Sequence, residues 1–132
     1  MTSVPEPQLT PEERAQLERG VALYNGGHYF ECHDVLEDLW SGIRGPSREF
    51  FQGLIQVAVG HYHLANGNRE GARSLFGRAL ARLSAYPPRY FGFDLAAQRD
   101  ELSAWVERLE AADEGRAEAG PPSPWSFGGG LS

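Results

Sequence analysis

Residues 47–66 read SREFFQGLIQVAVGHYHLAN and determine the fold class. At about 3.6 residues per turn, apolar side chains fall on nearly every side of a helix built from this stretch. Such a helix needs neighbours on several faces, so it is expected to be central. Gly53 and Gly60 lie on one side of it, where they permit close approach of another backbone at some cost in helix propensity. The stretch therefore predicts the central helix of an all-helical domain.

Two further helices are predicted before this one. Thr10 and Glu13 have the spacing of a capping box, and Pro11 occupies a position that a helix start tolerates. The first helix then ends at the glycine turn of residues 25–27. A second helix is predicted over residues 28–40, because apolar residues recur there at helical spacing.

Two helices are also predicted after the central one. A fourth carries a clean apolar stripe from Ala72 to Leu83 and stops at a pair of prolines, and a fifth is capped by Asp94. The fold class is therefore all-α: a compact bundle of about five helices. We expect it to consist of two helical hairpins, residues 16–40 and 48–83, plus a C-terminal helix.

A weak internal repeat supports the two hairpins. GVALYNGGHYFECHDVLEDLW begins at Gly20, and GHYHLANGNREGARSLFGRAL begins at Gly60, which is a spacing of 40 residues. Both segments predict a helix, a glycine turn and a second helix, with Cys32 aligned to Ala72. The pattern is weakly similar to a tetratricopeptide hairpin, although that repeat is usually about 34 residues long and occurs in longer arrays.

Composition predicts one domain inside the cell. Residues 1–113 are expected to form a single helical domain, and residues 114–132 a flexible tail rich in Gly, Pro and Ser, with Trp125 or Phe127 docking on the body. The N-terminus has no signal-peptide pattern, and the lone Cys32 fits a reducing compartment, so we expect a cytoplasmic protein.

Charge and hydropathy exclude two classes of partner. The net charge is −6, and no run of about 18 apolar residues occurs. We therefore expect neither nucleic-acid nor membrane binding. A small-molecule partner, a protein partner and self-association through an apolar face all remain open.

A polar stripe on the central helix does not fit a simple core. Gln52, Gln56 and His63 fall within one narrow sector, with Arg48 near its edge. Most of this helix is apolar, so we expect the stripe to be partly buried. An unpaired buried amide or imidazole costs about 1–3 kcal/mol, so these groups need partners.

The second helix offers those partners. His33 and Glu37 are four residues apart on one face, and Trp40 is the next residue along it. Glu31 is an alternative carboxylate, although it lies two residues from His33 and so on a different face. If the second and third helices pack antiparallel, His33 and Glu37 face the polar stripe and the whole set forms one cluster.

Three interpretations of this cluster are open. It is a hydrogen-bonded network that fixes helix register, a small-molecule or catalytic pocket, or a metal site. The catalytic candidates are His33, Glu37 and His63, and the same three are weak candidates for binding a divalent metal. The ligand-binding candidates are Trp40, Arg48, Gln52, Gln56 and Glu31. A protein-interaction module is a further alternative. Cofactor, substrate and enzymatic activity are not determined by this pattern.

Two strings in combination resemble a known family. The stretch YNGGHYFECHDVLEDLW, followed by Arg48 and FFQGLIQVAVGHYHLANGN, is similar to the "domain of unknown function 309" family of small helical proteins. The resemblance covers residues 20–83, with ECHD at positions 31–34 as a mild departure from that family's pattern. It implies a compact multihelical fold and supplies no biochemical activity.

Overall fold

The structure, a computed structural model, describes residues 4–113 and Trp125. Within them the chain forms five helices and one short β-hairpin. The helices are α1 (Pro11–Asn25), α2 (Tyr29–Ser41), α3 (Arg48–Ala65), α4 (Arg69–Leu83) and α5 (Leu95–Asp113). The strands are β1 (Arg89–Tyr90) and β2 (Phe93–Asp94). The predicted all-α fold with about five helices is confirmed.

Each helix packs against the next one along the chain, so α3 lies between α2 and α4. The position of α3 accounts for its burial: ten of its 18 residues are buried. Phe50, Phe51, Leu54 and Ala58 lose all contact with solvent. The prediction that the third helix is central is therefore confirmed.

The internal repeat corresponds to a repeated packing contact. A β-carbon built on Gly20 of α1 would stand 2.7 Å from Leu36 of α2. Forty residues later, a β-carbon on Gly60 of α3 would stand 2.5 Å from Phe76 of α4. In each hairpin a glycine on the first helix thus admits a large side chain from the second. The proposed likeness to tetratricopeptide repeats stays a prediction.

Helix ends are secured partly by local caps and partly by distant residues. The predicted capping box is present, because the side chain of Thr10 accepts from the Glu13 amide and Glu13 accepts from the Thr10 amide. At the start of α3 the cap comes from Tyr86. Its hydroxyl accepts a bond from the amide of Phe50 at 2.9 Å and donates to the carbonyl of Pro46 at 2.5 Å. Local sequence does not predict a cap from so far along the chain.

The β-hairpin between α4 and α5 was not predicted. Arg89 pairs with Asp94 and Tyr90 with Phe93 in an antiparallel register. Each strand has only two residues, too few for the alternation that predicts a strand. Asp94 also caps α5 as predicted, accepting a bond from the amide of Ala97 at 3.0 Å.

None of the five helices in the described part of the chain combines the length and apolar character that a bilayer crossing requires.

One of the two predicted tail contacts is present. Trp125 is 3% exposed and packs against the body. Phe127 and the rest of the predicted tail lie outside the described residues.

Candidate functional site

An open pocket of about 110 Å³ lies between α2 and α3. Its lining residues are Phe30 and His33 from α2, and Val59, Tyr62 and His63 from α3. The beginning of α2 therefore faces the end of α3, and the two helices run antiparallel. Spacings of three or four residues on each helix place these side chains on the facing surfaces.

The rim of this pocket is aromatic and exposed to solvent. The side chains of Phe30 and Tyr62 are 52% and 37% exposed, which is unusual for residues of this size. Their ring centroids are 5.3 Å apart, and that of Phe30 lies 5.8 Å from the imidazole of His33. The exposed aromatic surface and the pocket thus coincide.

The imidazole of His33 is held between two carboxylates. Its Nε2 lies 3.1 Å from Oε2 of Glu37, one turn later on α2. Its Nδ1 lies 3.3 Å from Oδ1 of Asp34, without the geometry of a hydrogen bond. Both carboxylates are more than half exposed, so they add negative charge beside the pocket without being buried themselves.

The second imidazole, that of His63, is oriented by the cap of α4. Oδ1 of Asn68 accepts a bond from the amide of Gly71 at 2.9 Å, which fixes the orientation of the Asn68 amide. Nδ2 of Asn68 therefore points to Nδ1 of His63, 3.4 Å away. Because an amide nitrogen only donates, Nδ1 of His63 is the acceptor, and a neutral His63 carries its proton on Nε2.

Trp40 and Arg48 form a separate group at the other end of α2. The guanidinium of Arg48 lies 4.0 Å from the centroid of the Trp40 ring. It also donates to the carbonyl of Trp40 at 3.1 Å and to that of Ile43 at 2.8 Å. Arg48 therefore joins the end of α2 to the start of α3. Arg48 was a ligand-binding candidate, and in this structure its Nη1 donates to both backbone carbonyls.

Gln56 belongs to a third group, at the edge of α3 that faces α4. Its Oε1 accepts a bond from Nε of Arg82 at 3.1 Å, and Arg82 also forms an ion pair with Glu49. The physical reason is the glycine contact with α4, which draws that helix close to this side of α3. Gln56 thus has a partner on α4, although its helical position is close to that of His63.

The remaining two candidates lie outside these groups. Gln52 is half-buried on α3. Glu31 is exposed and lies 3.4 Å from Nδ1 of His28. Among the hydrogen bonds of the described residues, none joins the groups of His33, Arg48 and Gln56 to one another. His33 and His63 thus line one pocket, with Glu37 bonded to His33, whereas Trp40, Arg48 and Gln56 lie away from it.

The two aromatic residues of the pocket were not singled out from the sequence. Phe30 and Tyr62 are large apolar side chains that lie outside the buried faces of α2 and α3. A signal was available, because Phe30 lies three residues before His33 and so shares its helix surface.

Two further titratable side chains, His61 and Cys32, lie in the core. His61 is 2% exposed and is surrounded by the rings of Tyr24, Tyr29, Phe76 and Trp105. Burial lowers its pKa to about 4, so it is neutral at physiological pH. Burial also raises the pKa of Cys32 to about 12, which keeps the thiol protonated and unreactive.

The described residues contain no set of ligands for a metal ion. Across residues 4–113 and Trp125, no three side chains of His, Cys, Asp or Glu converge in a way that would hold an ion. A divalent metal usually needs at least three protein ligands, and His33 and Glu37 supply two.

Comparison with known proteins identifies the segment that forms the pocket. The model of the family described as "Domain of unknown function (DUF309)" matches residues 17–75. Residues 17–75 are therefore similar to this family. All five pocket residues fall within the matched segment, whereas β1, β2 and α5 lie outside it.

Two similar proteins are uncharacterized. The uncharacterized protein YpuF of Bacillus subtilis (strain 168) is 33% identical over 73 residues, which are 54% of this chain and 42% of that protein. An uncharacterized protein of Aquifex aeolicus (strain VF5) is 22% identical over 103 residues, or 77% of this chain and 30% of that protein. The chain thus spans less than half the length of either relative.

Proposed function

We propose that this protein is a ligand-binding module and that the pocket between α2 and α3 binds a small organic cation. The observation that carries the proposal is the coincidence of exposed aromatic rings with negative charge. Phe30 and Tyr62 border the pocket, and two carboxylates lie beside the imidazole of His33 in its wall. A substituted ammonium ion suits both features.

The aromatic rim favours a cation over a neutral ligand of the same shape. A cation within about 6 Å of a ring centroid gains about 0.5–2 kcal/mol from the negative face of the ring. The ring centroids of Phe30 and Tyr62 are 5.3 Å apart, so one methylated ammonium group at the pocket mouth contacts both rings. Leaving these rings exposed in the free protein is unfavourable, and a bound ligand removes that apolar surface from water.

Charge around the pocket points to the same class of ligand. Asp34 and Glu37 lie beside His33, and the whole chain carries a net charge of −6. An anionic ligand would be repelled by this surface. Arg48 does not change that conclusion, because it lies at the other end of α2, where it contacts the Trp40 ring and two carbonyl groups.

The structural-network interpretation applies to the neighbouring groups. Arg48 and Gln56 use their polar atoms on protein partners that join α2 to α3 and α3 to α4. We therefore infer that these residues fix the packing register of the helices and that only the pocket binds a ligand.

The test is a pair of titrations with ligands of equal shape and different charge. Choline and its neutral carbon isostere, 3,3-dimethylbutan-1-ol, are titrated separately into the isotopically labelled protein, and amide chemical shifts are followed by NMR. We expect choline to bind about tenfold more tightly than the alcohol, since cation–π contacts contribute about 0.5–2 kcal/mol. Shifts should concentrate at residues 30–33 and 59–63. Equal affinities, or shifts elsewhere on the surface, would refute the proposal.

Matched variants localise the effect. Phe30→Ala removes one ring of the rim and should weaken choline binding by about fivefold to tenfold. His28→Ala removes an exposed histidine that also lies beside a carboxylate, but one outside the pocket, so its affinity should equal that of the wild type. A larger loss with His28→Ala than with Phe30→Ala would place the cation at another site.

A further inference from the structure

A second binding arrangement lies at the end of α1, where Trp125 packs against Tyr24. The two rings are stacked with centroids 3.5 Å apart and an interplanar angle of 5°. Phe93 of β2 presents an edge to the indole, at a centroid distance of 6.4 Å. Only 3% of Trp125 is exposed, so the indole fills a slot between the end of α1 and the β-hairpin.

The side chain of Asn25 holds the backbone of the same residue. Nδ2 of Asn25 donates to the carbonyl of Trp125 at 3.0 Å, and Oδ1 accepts from the amide of Trp125 at 2.6 Å. One side-chain amide thus satisfies both main-chain polar groups of a single residue. Peptide-binding proteins use this division of labour, in which main-chain bonds give affinity and a pocket selects the side chain.

We propose that Tyr24, Asn25 and Phe93 form a peptide-binding site for a large aromatic side chain, and that Trp125 of the same chain occupies it as a tethered ligand. The contact joins residues 100 positions apart, so it is not a product of local chain geometry. It shares no residue with the pocket between α2 and α3, so it stands independently of the function proposed for that pocket.

Tethering has a measurable consequence. A ligand on the same chain acts at an effective concentration that reaches the millimolar range for short flexible connections. A free peptide must compete with it, so the wild-type protein should bind such a peptide weakly. Emptying the slot should raise the affinity for the free peptide without any new contact.

The experiment uses the full chain with Trp125→Ala and a labelled synthetic peptide, GPPSPWSFGGG, that copies residues 120–130. Fluorescence anisotropy measures binding to the variant and to the wild type. We expect saturable binding to Trp125→Ala, with at least about tenfold lower affinity for the wild type, because the tethered residue competes. A control peptide with Ala in place of its Trp should not bind. Equal affinity for both proteins, or no binding to a variant shown to be folded by circular dichroism, would overturn the proposal.

A second variant tests the backbone contact without emptying the slot. In Asn25→Ala, hydrogen exchange at the amide of Trp125 should accelerate by about tenfold or more, since one hydrogen bond to that amide is lost. Asn66→Ala is the matched control. Asn66 lies at the end of α3, the first helix of the second hairpin, and its side chain donates a local hydrogen bond to the carbonyl of Tyr62. Unchanged exchange in Asn25→Ala would contradict the proposal. So would a wild-type dimer that Trp125→Ala converts to a monomer, because the occupant would then come from a second copy.

Discussion

Gly60 lies so close to Phe76 that a β-carbon at position 60 would stand 2.5 Å from Cε1 of the ring. The ring has little room to move, because it is fully buried and packs against His61 and Trp105. This contact sets the separation of α3 and α4. The same contact determines which polar residues of α3 face α4. His63 lies at the pocket instead.

The first prediction follows from that contact. Gly60→Ala should destabilise the protein by about 1–3 kcal/mol through overpacking, which exceeds the helix-propensity gain of about 1 kcal/mol. Gly77→Ala is the matched control, since a β-carbon there meets no atom within 4 Å, and it should stabilise the protein by about 0.5–1 kcal/mol. Urea unfolding measures both. The packing scheme is wrong if the two alanines have effects of the same sign.

The second prediction concerns Arg48 as a structural residue. Arg48→Ala removes two bonds to carbonyl groups at the α2–α3 connection and the contact with the Trp40 ring. It should cost about 1–3 kcal/mol in the free energy of unfolding. Arg48→Lys should recover part of that loss, because it keeps the charge but not the guanidinium fork.

Thermal and urea unfolding test this role against a surface arginine. Arg78→Ala changes an exposed side chain of α4 and should lie within about 0.5 kcal/mol of the wild type. If Arg48→Ala proved equally harmless, the assignment of Arg48 to helix joining would have to be abandoned.

The third prediction is a pH dependence that arises from His61. Its pKa is about 4 in the folded protein, against 6.5 for an unperturbed histidine, so protonation favours the unfolded chain. The stabilisation is fully present above pH 6.5 and is lost as the pH falls through 4. Between pH 7 and pH 4 the contribution amounts to about 3 kcal/mol, at about 1.4 kcal/mol for each unit of pKa difference.

Removing the imidazole isolates this effect from the titration of carboxylates. His61→Phe keeps an aromatic ring among Tyr24, Phe76 and Trp105 but does not titrate, so its stability should fall less steeply with acid than that of the wild type. His28→Ala should keep the wild-type slope, because His28 is exposed. Identical slopes for wild type and His61→Phe would show that His61 is not a buried neutral histidine.

The helical fold was predictable because its signals are local or periodic. The capping box at Thr10 and the cap at Asp94 each join residues three positions apart. The central position of α3 follows from the apolar residues on nearly every side of that helix. The 40-residue repeat correctly indicated two hairpins, since Gly20 and Gly60 perform the same packing role. The cap that Tyr86 places on α3 could not be predicted, because it depends on tertiary contacts.

The candidate site was predictable only in part, for a geometric reason. Helical periodicity gives the angle of a side chain around its own axis, and not which neighbouring helix it meets. His63 and Gln56 have nearly the same angle on α3, yet His63 borders the pocket beside α2 and Gln56 contacts Arg82 of α4. The aromatic rim was not predicted, because an apolar ring on a helix is more often part of the core than of a binding site, and sequence alone does not show that Phe30 and Tyr62 are exposed.

The most direct measurement of the central claim is the nuclear Overhauser effect between choline and the protein in solution. Binding of an organic cation by the rim predicts cross-peaks from the trimethylammonium methyl protons to ring protons of Phe30 and Tyr62, and their loss in Phe30→Ala. Cross-peaks only to residues outside the α2–α3 pocket, or none when amide shifts show the ligand is bound, would contradict it.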